Sequence, residues 1–155
     1  MKKLTAVLLV VLMAVCFAAC GNNENESKTN YTPQQAAEKL VGALEFGEEL
    51  EQTDNEITLE KYGIDASLVA DAARFAGSGA TADEVAVFEC VDEEAVKAVS
   101  AAIDERVAYL KDGYASYGPD EVPKIENAVV IYDGLMVCFC ISNNSENAES
   151  IYYGN

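Results

Sequence analysis

Histidine is absent from all 155 residues. With it go Ser-His-Asp and Cys-His nucleophile activation, imidazole acid–base chemistry and most zinc sites. Any catalysis would have to run on carboxylates, tyrosines or lysines. Positive charge is scarce as well, with 10 Lys and Arg against 27 Asp and Glu and a net charge of −17. Binding to phosphate backbones needs clustered Lys and Arg that release counterions, so no nucleic acid is expected as a partner. The same charge repels an anionic lipid surface and should hold the folded part off a membrane. A long hydrophobic run is also missing. Leu4 to Ala19 gives 16 uncharged residues, fewer than the roughly 20 of a spanning helix, and no basic cluster follows.

That short run has another meaning. Lys2 and Lys3 precede it, and Phe17-Ala18-Ala19-Cys20 closes it. A positive start, a brief apolar stretch and small residues ahead of a cysteine form an export signal of the lipoprotein kind. Residues 1–19 then leave as the signal and Cys20 becomes the lipid attachment site. Phe17 departs from the leucine usual at that position, while Ala18 and Ala19 fit. One acyl chain binds a membrane only marginally, at about 0.8 kcal/mol per buried methylene, so the two chains of a diacylglycerol are what anchor stably. Removing Lys2 and Lys3 with the signal leaves 8 basic against 27 acidic side chains, a net charge of −19. Residues 20–32 read as a lipid-anchored polar linker, with a root-mean-square reach of roughly 20 Å.

Residues 33–155 are enough for one domain with one core. Half the chain is apolar and a quarter charged, an ordinary globular balance. Thr32, Pro33 and Gln35 open a helix with a capping box, and Ala36, Ala37, Leu40, Val41 and Leu44 follow at helical spacing. Glu48 to Glu60 reads as an acidic loop holding one short extended piece. It lacks the alternating oxygens and turn glycine of a calcium loop. Ile64 to Ala76 is ambiguous between helix and strand. Gly77-Ser78-Gly79 is turn chemistry without the glycine spacing and lysine of a phosphate loop, and Glu84 to Val91 reads as a strand, so Phe75 is expected in the strand before a hairpin.

Asp92 caps a long helix with Glu93 and Glu94 at its positive end. Val96, Val99, Ile103, Val107 and Leu110 form its apolar stripe, and it should stop near Gly113. Tyr109, Tyr114 and Tyr117 gather there, to cap the core edge or to form an aromatic platform. Pro119 starts a short helix reaching Ile125. Asp133-Gly134 then joins two strands, Ala128 to Tyr132 and Leu135 to Ile141, by the strongest hairpin signal in the chain. In the second strand Leu135, Val137, Phe139 and Ile141 share one face and Met136, Cys138 and Cys140 the other. Both faces are apolar, which predicts a central strand covered on both sides, the second cover being the N-terminal helix. Ser142 to Asn155 reads as a polar loop.

Three thiols remain beyond Cys20. A Cys138–Cys140 bridge would be strained, because neighbours on one strand face lie near the roughly 7 Å limit between α-carbons. The three read first as small buried apolar residues, with a bridge from Cys90 to Cys138 or Cys140 as the alternative if their strands adjoin. A Cys-x-Cys pair without histidine is weak ground for a metal, and no metal or cofactor is expected.

Tyr62-Gly63-Ile64-Asp65, the run from Gly77 to Phe88, the long helix and the Asp133-Gly134 hairpin stand in this order. The pattern resembles an uncharacterised domain-of-unknown-function family of small bacterial lipoproteins, common in Gram-positive anaerobes, over roughly residues 33 to 145. The resemblance implies the lipid anchor and tolerance of unpaired thiols, and it assigns no catalytic residue. The expected fold is α+β, a small antiparallel sheet of three or four strands with the long helix packed across it and an N-terminal helix. The expected role is a non-catalytic binding or assembly module, held to the membrane by lipid on Cys20 and serving an envelope protein or a small solute. The competing reading is a small envelope hydrolase that uses paired carboxylates.

Overall fold

The computed structural model describes residues 27–155. The signal segment, Cys20 and the first part of the linker lie outside the described residues. Five antiparallel strands form one sheet in the order β1-β2-β3-β5-β4, where β1 is Glu51–Thr53, β2 Val69–Ala76, β3 Glu84–Cys90, β4 Val129–Asp133 and β5 Met136–Ile141. The sheet thus has five strands where three or four were expected. Two hairpins supply four of them, and the fifth is the three-residue β1 paired to the outer edge of β2. The hairpins join through β3 and β5, in a register that sets Phe88 opposite Val137 and Ala86 opposite Phe139.

Strand alternation splits the core in two. On one face Ala86, Phe88, Val137, Phe139 and Ile141 pack under the long helix α3, Glu93–Tyr117, with α2, Asn55–Tyr62, and α4, Val122–Glu126, beside it. On the other face Val85, Val87, Met136, Cys138 and Cys140 lie under α1, Pro33–Val41, and α5, Ala148–Tyr153. β5 is wholly buried, the central strand that its two apolar faces predicted. α1 provides the second cover, and its capping box forms as read: Gln35 N donates to Thr32 Oγ1, and Thr32 N donates to Gln35 Oε1.

Four local expectations change. The acidic segment after Glu48 holds β1, as expected, but then forms α2, which buries only Thr58 and Tyr62. Two inward positions on eight residues are a weak periodic signal. α3 runs past Gly113 to Tyr117 because Tyr114 is buried at the core edge and donates to the carbonyls of Gly79, at 3.0 Å, and Thr81. The polar tail forms α5, whose Tyr152 is fully buried against Tyr31.

The fourth change concerns the linker, whose last part is fixed to the domain. Asp133, 2% exposed, accepts from Ser27 Oγ at 2.9 Å, Lys28 N at 2.5 Å, Thr29 Oγ1 at 2.7 Å and Tyr152 OH at 3.2 Å. Burial pushes its carboxyl up, but these donors outweigh it and hold the group below the usual carboxylate range. The turn that Asp133 begins is the expected hairpin, with Gly134 at φ 62° where a left-handed residue is required.

All three described cysteines are buried free thiols. Cys90 points into the α3 face, whereas Cys138 and Cys140 point into the α1 face. Three small buried thiols were the favoured reading; the alternative bridge from Cys90 to either of the others would have to pass through the sheet, so adjoining strands do not suffice. The thiols serve as small apolar packing groups. Burial raises them to about 11 for Cys90 and about 12 for Cys140.

Candidate functional site

Alternation along β2 and β3 puts two charged residues where the core should be. Arg74 is in phase with Ala72, and Glu84 with Ala86 and Phe88, so both side chains project under α3. Arg106 reaches them from α3 and Tyr62 from the last turn of α2. Arg74 Nε donates to Glu84 Oε1 at 2.6 Å, Arg106 Nη2 to Glu84 Oε2 at 2.8 Å, and Tyr62 OH to Glu84 Oε1 at 2.8 Å. Arg74 Nη1 also donates to Thr53 Oγ1 on β1 at 3.1 Å, which ties the edge strand to the cluster. The Tyr62 ring packs edge-on to Phe88 and Phe139, with the Arg106 guanidinium 5.7 Å from its centroid. Burial would raise the Glu84 carboxyl, but Arg106 and Arg74 together bring it below its ordinary value. Burial and the neighbouring Glu84 charge push the Tyr62 phenol well up, so it stays a proton donor.

The charged members of this cluster lie in a groove of about 190 Å³ between α3 and the turn joining β2 to β3. Arg74, Glu84 and Arg106 line it, with Lys61, Tyr109 and Tyr117 around them. The turn is held from three sides. Tyr114 and Tyr117, with rings 4.8 Å apart, both reach the Gly79 carbonyl from α3. Glu48 accepts from Thr81 N at 3.2 Å and from Thr81 Oγ1 at 2.8 Å. Bonds from Ser78 and Thr81 bring its carboxyl down to about 2. Finally, Asp83 accepts from Gly47 N at 2.6 Å and from Lys124 Nζ at 2.9 Å, while Lys124 also pairs with Glu121 at 2.9 Å. A Cβ on Gly77 would lie 2.4 Å from Glu48 Oε1, so a larger residue here would push the Glu48 carboxylate away from Thr81.

Of the residues singled out in the sequence, Tyr109, Tyr114 and Tyr117 meet at this groove, in two different roles. Tyr114 caps the core edge, whereas Tyr109 and Tyr117 are 71% and 65% exposed beside the opening. Cys20 lies outside the described residues, and the thiols of Cys90, Cys138 and Cys140 are not in the groove lining. Arg74, Glu84 and Arg106 were missed as a set. The readable signal was charge at in-phase core positions of two strands; the third member comes from a helix 22 residues beyond Glu84. Larger depressions exist, including one of about 590 Å³ beside α4 and β4, but the buried Arg74–Glu84–Arg106 cluster does not line it. Among the described residues no three Cys, Asp or Glu side chains gather as a metal site would require. Among them, too, no helix is long and apolar enough to cross a membrane.

A family model described as "Domain of unknown function (DUF4358)" matches residues 43–142, well over half the chain. The chain belongs to this family. The matched span contains all five strands, α2, α3, α4 and every residue lining the groove; α1, α5 and the strap formed by residues 27–29 on Asp133 lie outside it. No curated protein and no solved structure matches the chain.

Proposed function

We propose that the chain is a lipoprotein anchored through Cys20 on the extracytoplasmic face of a bacterial membrane, and that its domain binds a target without transforming it. The observation that carries the second half is the state of the carboxylates at the groove. A hydrolase built on carboxylates needs one group poised to give a proton and another free to attack or to activate water. Glu84 is shared between two guanidinium groups and held ionised, and Asp83 is taken up by Lys124 Nζ on one oxygen and Gly47 N on the other. Neither has a free role. What remains is a fixed positive cluster under two exposed tyrosines, which favours recognition over turnover. The anchor rests on the Lys2-Lys3 start and on Ala18-Ala19-Cys20. The partner is an envelope protein or a small solute, and the groove is its site.

Cell fractionation tests the anchor. Cys20→Ala should move the chain out of the membrane fraction, and the parent's N-terminal peptide should carry a diacylglycerol mass. A bare terminus, or a Cys20→Ala chain that stays in the membrane, overturns the assignment. Cross-linking in intact envelope tests the binding role. Partners captured by the parent and lost with Tyr109→Ala support it, and turnover of a cell-wall substrate by the purified chain refutes it.

A further inference from the structure

We infer that the α3 groove is a receptor for a single carboxylate carried by a small ligand or by the end of a peptide. This inference rests on the binding role proposed above and adds the chemistry of the ligand. The two arginines of the whole chain converge on one glutamate. The charged residues lining the groove are Lys61, Arg74 and Arg106 against Asp83 and Glu84, and Lys124, which pairs with Asp83, is balanced by its second partner Glu121. The groove therefore holds one surplus positive charge on a molecule whose net charge is −17. A monoanion balances it. A phosphate dianion overshoots it, and a polyanion meets the acidic surface around the groove.

Hydrogen-bond supply points the same way. The Nε–H of Arg106 is buried and has no acceptor among the described residues, although Nη2 of the same guanidinium is bound to Glu84. Buried donors are nearly always paired, and Arg106 lines the groove, so one oxygen of an entering carboxylate supplies the acceptor that Glu84, held by Nη2, does not. Size limits the ligand further. A volume of about 190 Å³ holds about six waters at ~30 Å³ each and falls below the roughly 300 Å³ at which pockets for drug-sized molecules begin. A carboxylate with a short stem fits. Tyr109, with its ring 5.8 Å from the Arg106 guanidinium, and Tyr117 then offer exposed aromatic faces to whatever the stem carries.

The full chain purified in detergent provides the test. Benzoate and N-acetylphenylalanine should raise its Tm and shift its tyrosine NMR signals, at least 10-fold more tightly than benzamide and N-acetylphenylalanine amide. Inorganic phosphate should bind more weakly than benzoate. Arg106→Gln should lose carboxylate binding 10-fold or more, with Arg106→Lys between it and the parent. Tyr109→Ala alters an exposed residue and keeps the test valid if Arg106→Gln fails to fold; it should weaken binding about 3- to 10-fold. A tripeptide with a free C-terminus that outcompetes benzoate, against an amidated one that does not, identifies a chain end as the source; equal affinity of tripeptide acid and benzoate identifies a small acid. Amides binding as well as acids, phosphate binding more tightly than benzoate, or carboxylate binding unchanged in Tyr109→Ala and Arg106→Gln would each overturn the inference. If no carboxylate binds at 10 mM while Tyr109→Ala still abolishes envelope cross-links, the ligand chemistry falls and the binding role stands.

Discussion

Replacing Glu84 with alanine strands two guanidinium groups where water hardly reaches. The side chains of Arg74, Arg106 and Glu84 are 7%, 10% and 3% exposed. Removing one partner of a buried ion pair costs about 3–5 kcal/mol, most of it the desolvated charge left behind. Here one carboxylate serves two cations, which argues for the upper end, and the lost acceptor of Tyr62 adds about 1 kcal/mol. The expected loss is therefore about 5–6 kcal/mol, comparable to the whole margin of a small domain, about 5–15 kcal/mol. With Tm falling about 4 °C per kcal/mol for a domain of this size, the midpoint should drop by roughly 20 °C. The chain has no tryptophan, so urea and thermal unfolding are best followed by far-UV circular dichroism and tyrosine fluorescence. A triple variant, Glu84→Leu with Arg74→Met and Arg106→Met, removes all three charges together and should lie within about 2 kcal/mol of the parent. A cost below about 1 kcal/mol for Glu84→Ala would refute the reasoning, because the cluster would then be solvated. So would a triple variant no more stable than the single one.

Asp133→Ala should release the strap at residues 27–29, raising their amide exchange at least 10-fold and costing about 2 kcal/mol; unchanged exchange would refute the latch. Glu84 and Asp133 both titrate below their ordinary values, so their contribution is complete above the unfolded pKa values of about 4.3 and 3.9 and is lost as pH falls through the lower folded ones. Stability should fall below about pH 4, with a flatter acid limb in Glu84→Gln; parallel limbs in the two proteins would sink the assignment. Thiol reagents should modify Cys90, Cys138 and Cys140 only as fast as the domain opens, so labelling in graded urea should track unfolding. Rapid labelling of the native chain would contradict their burial.

Residue order along single elements was enough to read several parts of this fold. The Thr32–Gln35 capping box, the Asp92 cap, the Asp133-Gly134 turn and the two-faced pattern of β5 are all encoded within a few residues, because caps, turns and strand alternation are local physics. Elements stabilised by distant contacts were harder to read. α5 forms because Tyr152 finds Tyr31 and Asp133 across the fold, and α3 continues through Gly113 because Tyr114 has carbonyls of the β2–β3 turn to bond.

The candidate site divides along the same line. Charge at core-phase positions of β2 and β3 was a local signal for Arg74 and Glu84 that went unread, whereas the tyrosines near the end of α3 were visible as a group. No spacing rule, however, links Arg106 to Glu84 or Tyr62, because the sheet and two helices must pack before the four groups meet. The sequence alone determined charge balance, the absence of imidazole chemistry and the phase of each strand, since these need no partner. Only the tertiary structure decided that Cys90 faces away from Cys138 and Cys140, and that both arginines share one carboxylate. Which side chains meet depends on how strands are ordered and on which face each helix covers.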